Sequence, residues 1–171
     1  MKYICIKTVA IYLLATLPLL ANASTHKVKI THSVMVGDGI AKFIPEGFDA
    51  QKIPSFAIEK EPREQGALPA DWVLVPEFSL TDGKANASLT VPEGTSIYGG
   101  GEVTGSLLRN GKTIKLWNTD SGAYGVDKGT RLYQSHPWMM GVRKDGTAFG
   151  ILFDTTWKAE LSSTDENRIK K

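Results

Sequence analysis

Pro76-Glu77-Phe78-Ser79-Leu80-Thr81-Asp82-Gly83-Lys84-Ala85-Asn86-Ala87-Ser88-Leu89 is the stretch whose reading decides the fold class. Asp-Gly closes tight hairpins, because both central residues of a type I′ turn need positive φ. Folding the flanks back about that turn opposes Leu80 to Ala85, Phe78 to Ala87 and Pro76 to Leu89. The alternate pairs are Thr81 with Lys84, Ser79 with Asn86 and Glu77 with Ser88. One face is apolar and the other polar, as a sheet with one wet side requires. Pro76 falls at a non-hydrogen-bonded site, so an outer sheet edge is expected there.

The same operation applies at three further turn pairs. Asp38-Gly39 opposes Val36 to Ala41 and Val34 to Phe43. Asp145-Gly146 opposes Val142 to Phe149, Met140 to Ile151 and Trp138 to Phe153, with Arg143, Gly141 and Met139 meeting Ala148, Gly150 and Leu152 on the other side. Both faces of this hairpin are apolar beyond the turn, which predicts a central place in its sheet. Asn110-Gly111 brings only Leu107 onto Ile114. No stretch of ten or more residues sustains an amphipathic helical period. The expectation is an all-β chain, an antiparallel β-sandwich.

The chain has 171 residues, 42% hydrophobic and 22% charged, which is globular composition for one domain. Its start reads as a leader. Met1 to Lys7 is short and basic, Thr8 to Leu20 is an apolar run, and Ala21-Asn22-Ala23 is a small-x-small cleavage pattern, so Ser24 is the expected mature start. The run from 8 to 20 is too short to cross a bilayer core of roughly 30 Å as a helix. Without Lys2 and Lys7 the 20 Lys and Arg fall to match the 18 Asp and Glu, so the mature chain is neutral and no basic face for nucleic acid is expected. Cys5, the single cysteine, leaves with the leader, which excludes a disulfide frame or a thiol nucleophile in the mature chain. The expected organisation is a signal peptide over 1–23, a β-sandwich over 24–161 and a polar, fraying tail over 162–171. Ile44 to Gly66 reads as a loop with one short strand near Ser55 to Ile58, and Thr119 to Gly129 as a second loop.

His26, His32 and His136 form neither a zinc spacing nor a Ser-His-Asp grouping, so neither a metal nor a cofactor is expected. Gly99-Gly100-Gly101 has no Lys-Ser/Thr after it, and positive φ explains it better than phosphate binding. Cleaving a glycoside needs two placed carboxylates. With turn acids and solvated charge runs set aside, the acids of interest are Glu102, Asp120, Asp127 and Asp154, and the sequence pairs no two of them. Of the tryptophans at 72, 117, 138 and 157, Trp138 and Trp117 alternate into strands, where core packing is the commoner role.

Four segments in order carry a resemblance: Ile97-Tyr98-Gly99-Gly100-Gly101-Glu102, Leu116-Trp117-Asn118-Thr119-Asp120, Tyr133-Gln134-Ser135-His136-Pro137-Trp138 and Gly146 to Thr156. Over Ile97 to Trp157 the chain resembles the N-terminal β-sandwich domain of glycoside hydrolase family 31, the α-glucosidase and α-xylosidase family. The resemblance implies a galactose-mutarotase-like sandwich packed on a (β/α)8 barrel, normally in the same chain, that carries both catalytic aspartates of a retaining mechanism. It places no catalytic residue here, since this stretch lacks the barrel. It does imply a substrate-binding role for Asp120, whose loop reaches the active site in the family, with Asn118 as a weaker neighbour. Two functions are then open: the substrate-contacting domain of an exported α-glycosidase, inactive alone, or a free-standing sandwich that binds carbohydrate without cleaving it. The resemblance implies an α-glucoside or α-xyloside as partner, and neither nucleic acid nor, after leader removal, a membrane is expected. The expected location is periplasmic or extracellular.

Overall fold

The computed structural model describes residues 2–7, 24–49, 63–120, 122, 126–165 and 168–170. These form β1 (Lys2–Lys7), β2 (Thr25–Val28), β3 (Ile30–Gly37), β4 (Ile40–Pro45), β5 (Glu77–Thr81), β6 (Lys84–Thr90) and β7 (Ser96–Gly101). They continue with β8 (Thr113–Leu116), β9 (Ser135–Val142), β10 (Ala148–Asp154), β11 (Ala159–Asp165) and β12 (Arg168–Lys170). Two six-stranded sheets result, in the orders β3-β4-β1-β10-β9-β7 and β2-β5-β6-β12-β11-β8. A 3-10 turn lies at Val126–Gly129, and among the described residues no helix is long and apolar enough to cross a membrane. The all-β, antiparallel sandwich expected of a galactose-mutarotase-like chain is what the sheets form.

The core lies between the sheets. Phe43, Met139, Phe149, Ile151 and Phe153 come from one, and Phe78, Leu89, Ile114, Leu161 and Ile169 from the other, all buried. Fully burying a side chain of this size is worth about 1.5–3 kcal/mol, so the alternating strands supply the driving force.

The Asp82-Gly83 hairpin forms in the register read from its sequence, from Glu77 opposite Ser88 to Thr81 opposite Lys84. Both turn residues are left-handed, Asp82 at φ 50° and Gly83 at φ 72°. The predicted outer edge is corrected, because β2 pairs with β5 over Phe78–Thr81 and makes β5 an inner strand. Pro76 stands just before the strand begins, where its missing N–H costs no ladder bond.

The other Gly turns differ from the type I′ expectation. At Asp38, Asn110 and Asp145 only the following glycine is left-handed, at φ 67°, 74° and 80°. Asp145-Gly146 lies in a longer loop closed by Arg143 N–H donating to Thr147 O at 2.8 Å. A type I turn ending in a left-handed glycine adds one residue to the loop, and the register moves with it. Gly141, not Val142, opposes Phe149, and Met139, not Met140, opposes Ile151. The Phe149 ring lies over Gly141, where an added Cβ would approach it to 2.2 Å. The hairpin is central, between β1 and β7. An irregularity between Met35 and Gly37 likewise shifts the first hairpin, so that Val34 meets Lys42 and Met35 meets Ala41. Asn110-Gly111 closes no hairpin onto Leu107. Ile114 pairs with Leu161 instead, and the Asn110 carboxamide bridges to Ile97 N and Thr95 O, both at 2.8 Å.

The predicted fraying tail is also corrected. β11 extends to Asp165, β12 inserts between β6 and β11, and Ile169 is fully buried. The short strand expected near Ser55 to Ile58 lies outside the described residues. Of the predicted leader, only Lys2–Lys7 is described. It forms β1, parallel to both β4 and β10, whereas every other strand pairing among the described residues is antiparallel.

Candidate functional site

Three separate segments meet at one end of the sandwich and enclose an open cleft of about 300 Å³. Leu116, Trp117 and Asn118 come from the end of β8, Ser135 and Pro137 from the start of β9, and Thr155, Thr156 and Trp157 from the β10–β11 connection. Pairing of Ala159 with Leu116 sets the β10–β11 connection beside the end of β8. Two hydrogen bonds then fasten the β8 exit to the β9 entry: Thr119 N–H donates to Leu132 O at 2.9 Å, and Ser135 N–H donates to Asn118 Oδ1 at 2.9 Å.

Trp117 lies beyond β8, not within it, and is 49% exposed. This corrects its reading as a core residue. Its ring carries the Lys158 ammonium at 5.8 Å from the centroid, within cation–π range. Trp157 is 40% exposed on the same cleft, its N–H held by Thr155 Oγ1 at 3.2 Å. Trp138 is half-buried in β9, opposite Leu152, and Trp72 is buried with Nε1–H donating to Leu74 O at 2.9 Å.

Asn118 lines the cleft, but its side-chain oxygen is committed to the Ser135 backbone. That bond makes it a part of the wall as well as a candidate contact. Asp120 is exposed two residues further on, outside the lining set, and among the described residues no group donates to its carboxylate. The other candidate acids separate. Glu102 Oε2 accepts Tyr133 N–H at 3.2 Å, Asp154 is buried in β10, and Asp127 sits in the 3-10 turn. Among the described residues no three His, Asp, Glu or Cys side chains gather.

The glycine run before the site has a backbone cause. Gly99, Gly100 and Gly101 hold φ 111°, 83° and 94°, and a Cβ on Gly99 or Gly101 would stand 2.4 Å from Trp138 O or Gln134 O. β7 therefore lies against β9 more closely than any side chain permits. Arg109 secures the same strand: Nε donates to Gly99 O at 3.0 Å and Nη1 to Ser106 O at 2.8 Å, and burial pulls its guanidinium below its ordinary pKa. The sequence named Ser135 only within a family-like segment and Trp157 only as one of four tryptophans, and nothing in it pointed to Arg109.

Comparison with known proteins matches residues 55–161 to the glycosyl hydrolase 31 N-terminal galactose mutarotase-like domain. "Alpha-glucosidase 2" of Bacillus thermoamyloliquefaciens is 46% identical over 77 residues, which is 43% of this chain and 10% of that protein. "Alpha-glucosidase" of Hordeum vulgare is 42% identical over 80 residues, 45% of this chain and 9% of that protein. Among solved structures, a family 31 alpha-glucosidase from Bacteroides thetaiotaomicron is 94% identical with a TM-score of 0.46, covering 53% of this chain and 15% of that one. The matched part of the chain thus spans about a tenth of the length of these two relatives.

Proposed function

We infer, from the premise that this chain belongs to the glycosyl hydrolase 31 N-terminal galactose mutarotase-like domain family, that it is the substrate-contacting domain of an exported, retaining α-glycosidase. Its catalytic carboxylates lie in the remaining polypeptide, and the domain alone has no turnover. Export to the periplasm or beyond rests on the leader pattern before Ser24.

The observation that carries the inference is the exposed Asp120 carboxylate beside a cleft walled by Asn118, Trp117 and Trp157, with no described group donating to it. A carboxylate can accept from two neighbouring sugar hydroxyls, and charge-assisted bonds of this kind are worth about 1.5–3 kcal/mol each. Asn118, held through Oδ1, would present its remaining amide donors to the same sugar. The test is Asp120→Asn in the full-length enzyme. Binding predicts kcat/KM on an α-glucoside or α-xyloside falling by roughly tenfold or more with the melting temperature unchanged. A lower melting temperature with efficiency preserved would refute the role. The chain as given, assayed with aryl α-glucoside and α-xyloside, should release no phenol above a mock preparation.

A second reading, carbohydrate binding without cleavage, is favoured by the two exposed tryptophans on one cleft, since indole faces stack on sugar rings. Calorimetry of the isolated chain with maltose separates the two. Binding retained in the absence of the remaining polypeptide supports the module, and loss of it supports the domain.

A further inference from the structure

β1 occupies the middle of a sheet, in a slot bounded by β4 on one side and β10 on the other. Lys2–Lys7 is in register with Phe149–Asp154 along its whole length, and Tyr3–Ile6 with Ile40–Phe43. Ile4 stands level with Ala41 and Ile151, and Ile6 with Phe43 and Phe153, four residues with exposures of 0–1%. The same segment carries the basic start of a leader that ends at Ala23. Removing it at Ser24 would leave two inner strands, β4 and β10, each with an unpaired row of N–H and C=O groups. Buried backbone groups without partners are costly, and an open, flat, apolar strand edge recruits another strand.

We propose that the slot between β4 and β10 is a strand-acceptor site, filled in the mature enzyme by an extended segment of its catalytic polypeptide. The proposal rests on the domain reading above. The occupant's chemistry follows from the walls. β4 and β10 run the same way, so one extended strand pairs with both, and its residues level with Ala41 and Ile151 and with Phe43 and Phe153 are apolar, the residue types β1 carries at those positions. β4 and β10 already have their hairpin neighbours, β3 and β9, on their other sides, so the donor is distant in sequence and needs a length of further chain. The relatives supply such length, since the matched segment is only 9–10% of them. Main-chain pairing on both sides would couple the domain to the rest of the enzyme more firmly than a surface contact.

Two readouts test this. In the full-length enzyme beginning at Ser24, a photo-crosslinking residue is placed at Leu152, a half-buried position level with Cys5. Cross-linked peptides should map beyond residue 171, and cross-links confined to 24–171 would overturn the proposal. Hydrogen exchange at 41–43 and 149–153 is then compared between the 1–171 chain, the same chain begun at Ser24, and the full-length enzyme begun at Ser24. Exchange should quicken at least tenfold in the second and slow again in the third. Equal protection in the first two, or no recovery in the third, would overturn it, and the full-length comparison stands even where the Ser24 chain fails to fold. Glycosidase assay of the same full-length protein reports separately on the domain reading. An inactive enzyme with cross-links beyond 171 refutes that reading and leaves the acceptor site standing.

Discussion

The side-chain oxygen of Asn118 accepts the backbone N–H of Ser135 at 2.9 Å, across 17 residues of sequence. With the Thr119 N–H bond to Leu132 O, it joins the β8 exit to the β9 entry, and Asn118 and Ser135 both line the cleft. Asn118→Ala should lower the stability of the chain by about 1 kcal/mol, the usual worth of one such bond. For a domain of this size that is a shift of roughly 2–4 °C in melting temperature. Asn118→Asp keeps the acceptor and should keep the melting temperature. Equal losses in both variants would show that the bond does not matter.

Two glycines with similar backbone angles should respond differently to alanine. Gly111 has φ 74° with nothing within 4 Å of an added Cβ, so Gly111→Ala pays only the left-handed backbone cost of about 1–2 kcal/mol. Gly101 has φ 94° and a Cβ there would lie 2.4 Å from Gln134 O and 2.8 Å from His136 N, both backbone atoms. Gly101→Ala should cost at least about 3 kcal/mol, because β7 must move off β9. Urea unfolding of the two variants side by side checks the order, and equal midpoints would contradict it.

Ile169 is fully buried in a segment whose composition is polar. Ile169→Val should cost about 0.5–1.5 kcal/mol and Ile169→Ala about 2–5 kcal/mol, the grading of a packed core position. A flat response to both, read by chemical denaturation, would mean that β12 is not part of the folded sheet.

Asp145 gives the hairpin a pH dependence. Its carboxylate accepts Thr147 Oγ1–H at 2.7 Å and Thr147 N–H at 2.9 Å, and these bonds, with Arg143 nearby, hold its pKa below the ordinary carboxylate value. A depressed folded-state pKa contributes stability above the unfolded value of about 3.9, and that contribution is lost as pH falls through the folded value. Asp145→Ala should therefore melt below the parent chain at pH 6, with the gap closing on acidification below about pH 4. A gap independent of pH would assign the loss to turn geometry alone.

The Asp82-Gly83 hairpin was legible residue by residue, because its pairs are close in sequence and one turn sets their register. Asp145-Gly146 carries the same local signal, yet the same dipeptide closes loops of two lengths, and here the longer loop, with Thr147 bonded to Asp145, sets Phe149 opposite Gly141. The sequence declared the fold class through its hairpin pairing, and its resemblance to the family implied roles for Asn118 and Asp120. It could not declare that Trp117 is exposed, since that depends on β8 ending at Leu116 and on β11 lying beside it. Nor could it place Arg168–Lys170, three residues with one apolar side chain among them, between β6 and β11. Periodicity reports which face of a strand is apolar. Which strands become neighbours, and so which side chains end up walling a cleft, is decided by pairings between residues tens of positions apart, whose energies no local window contains.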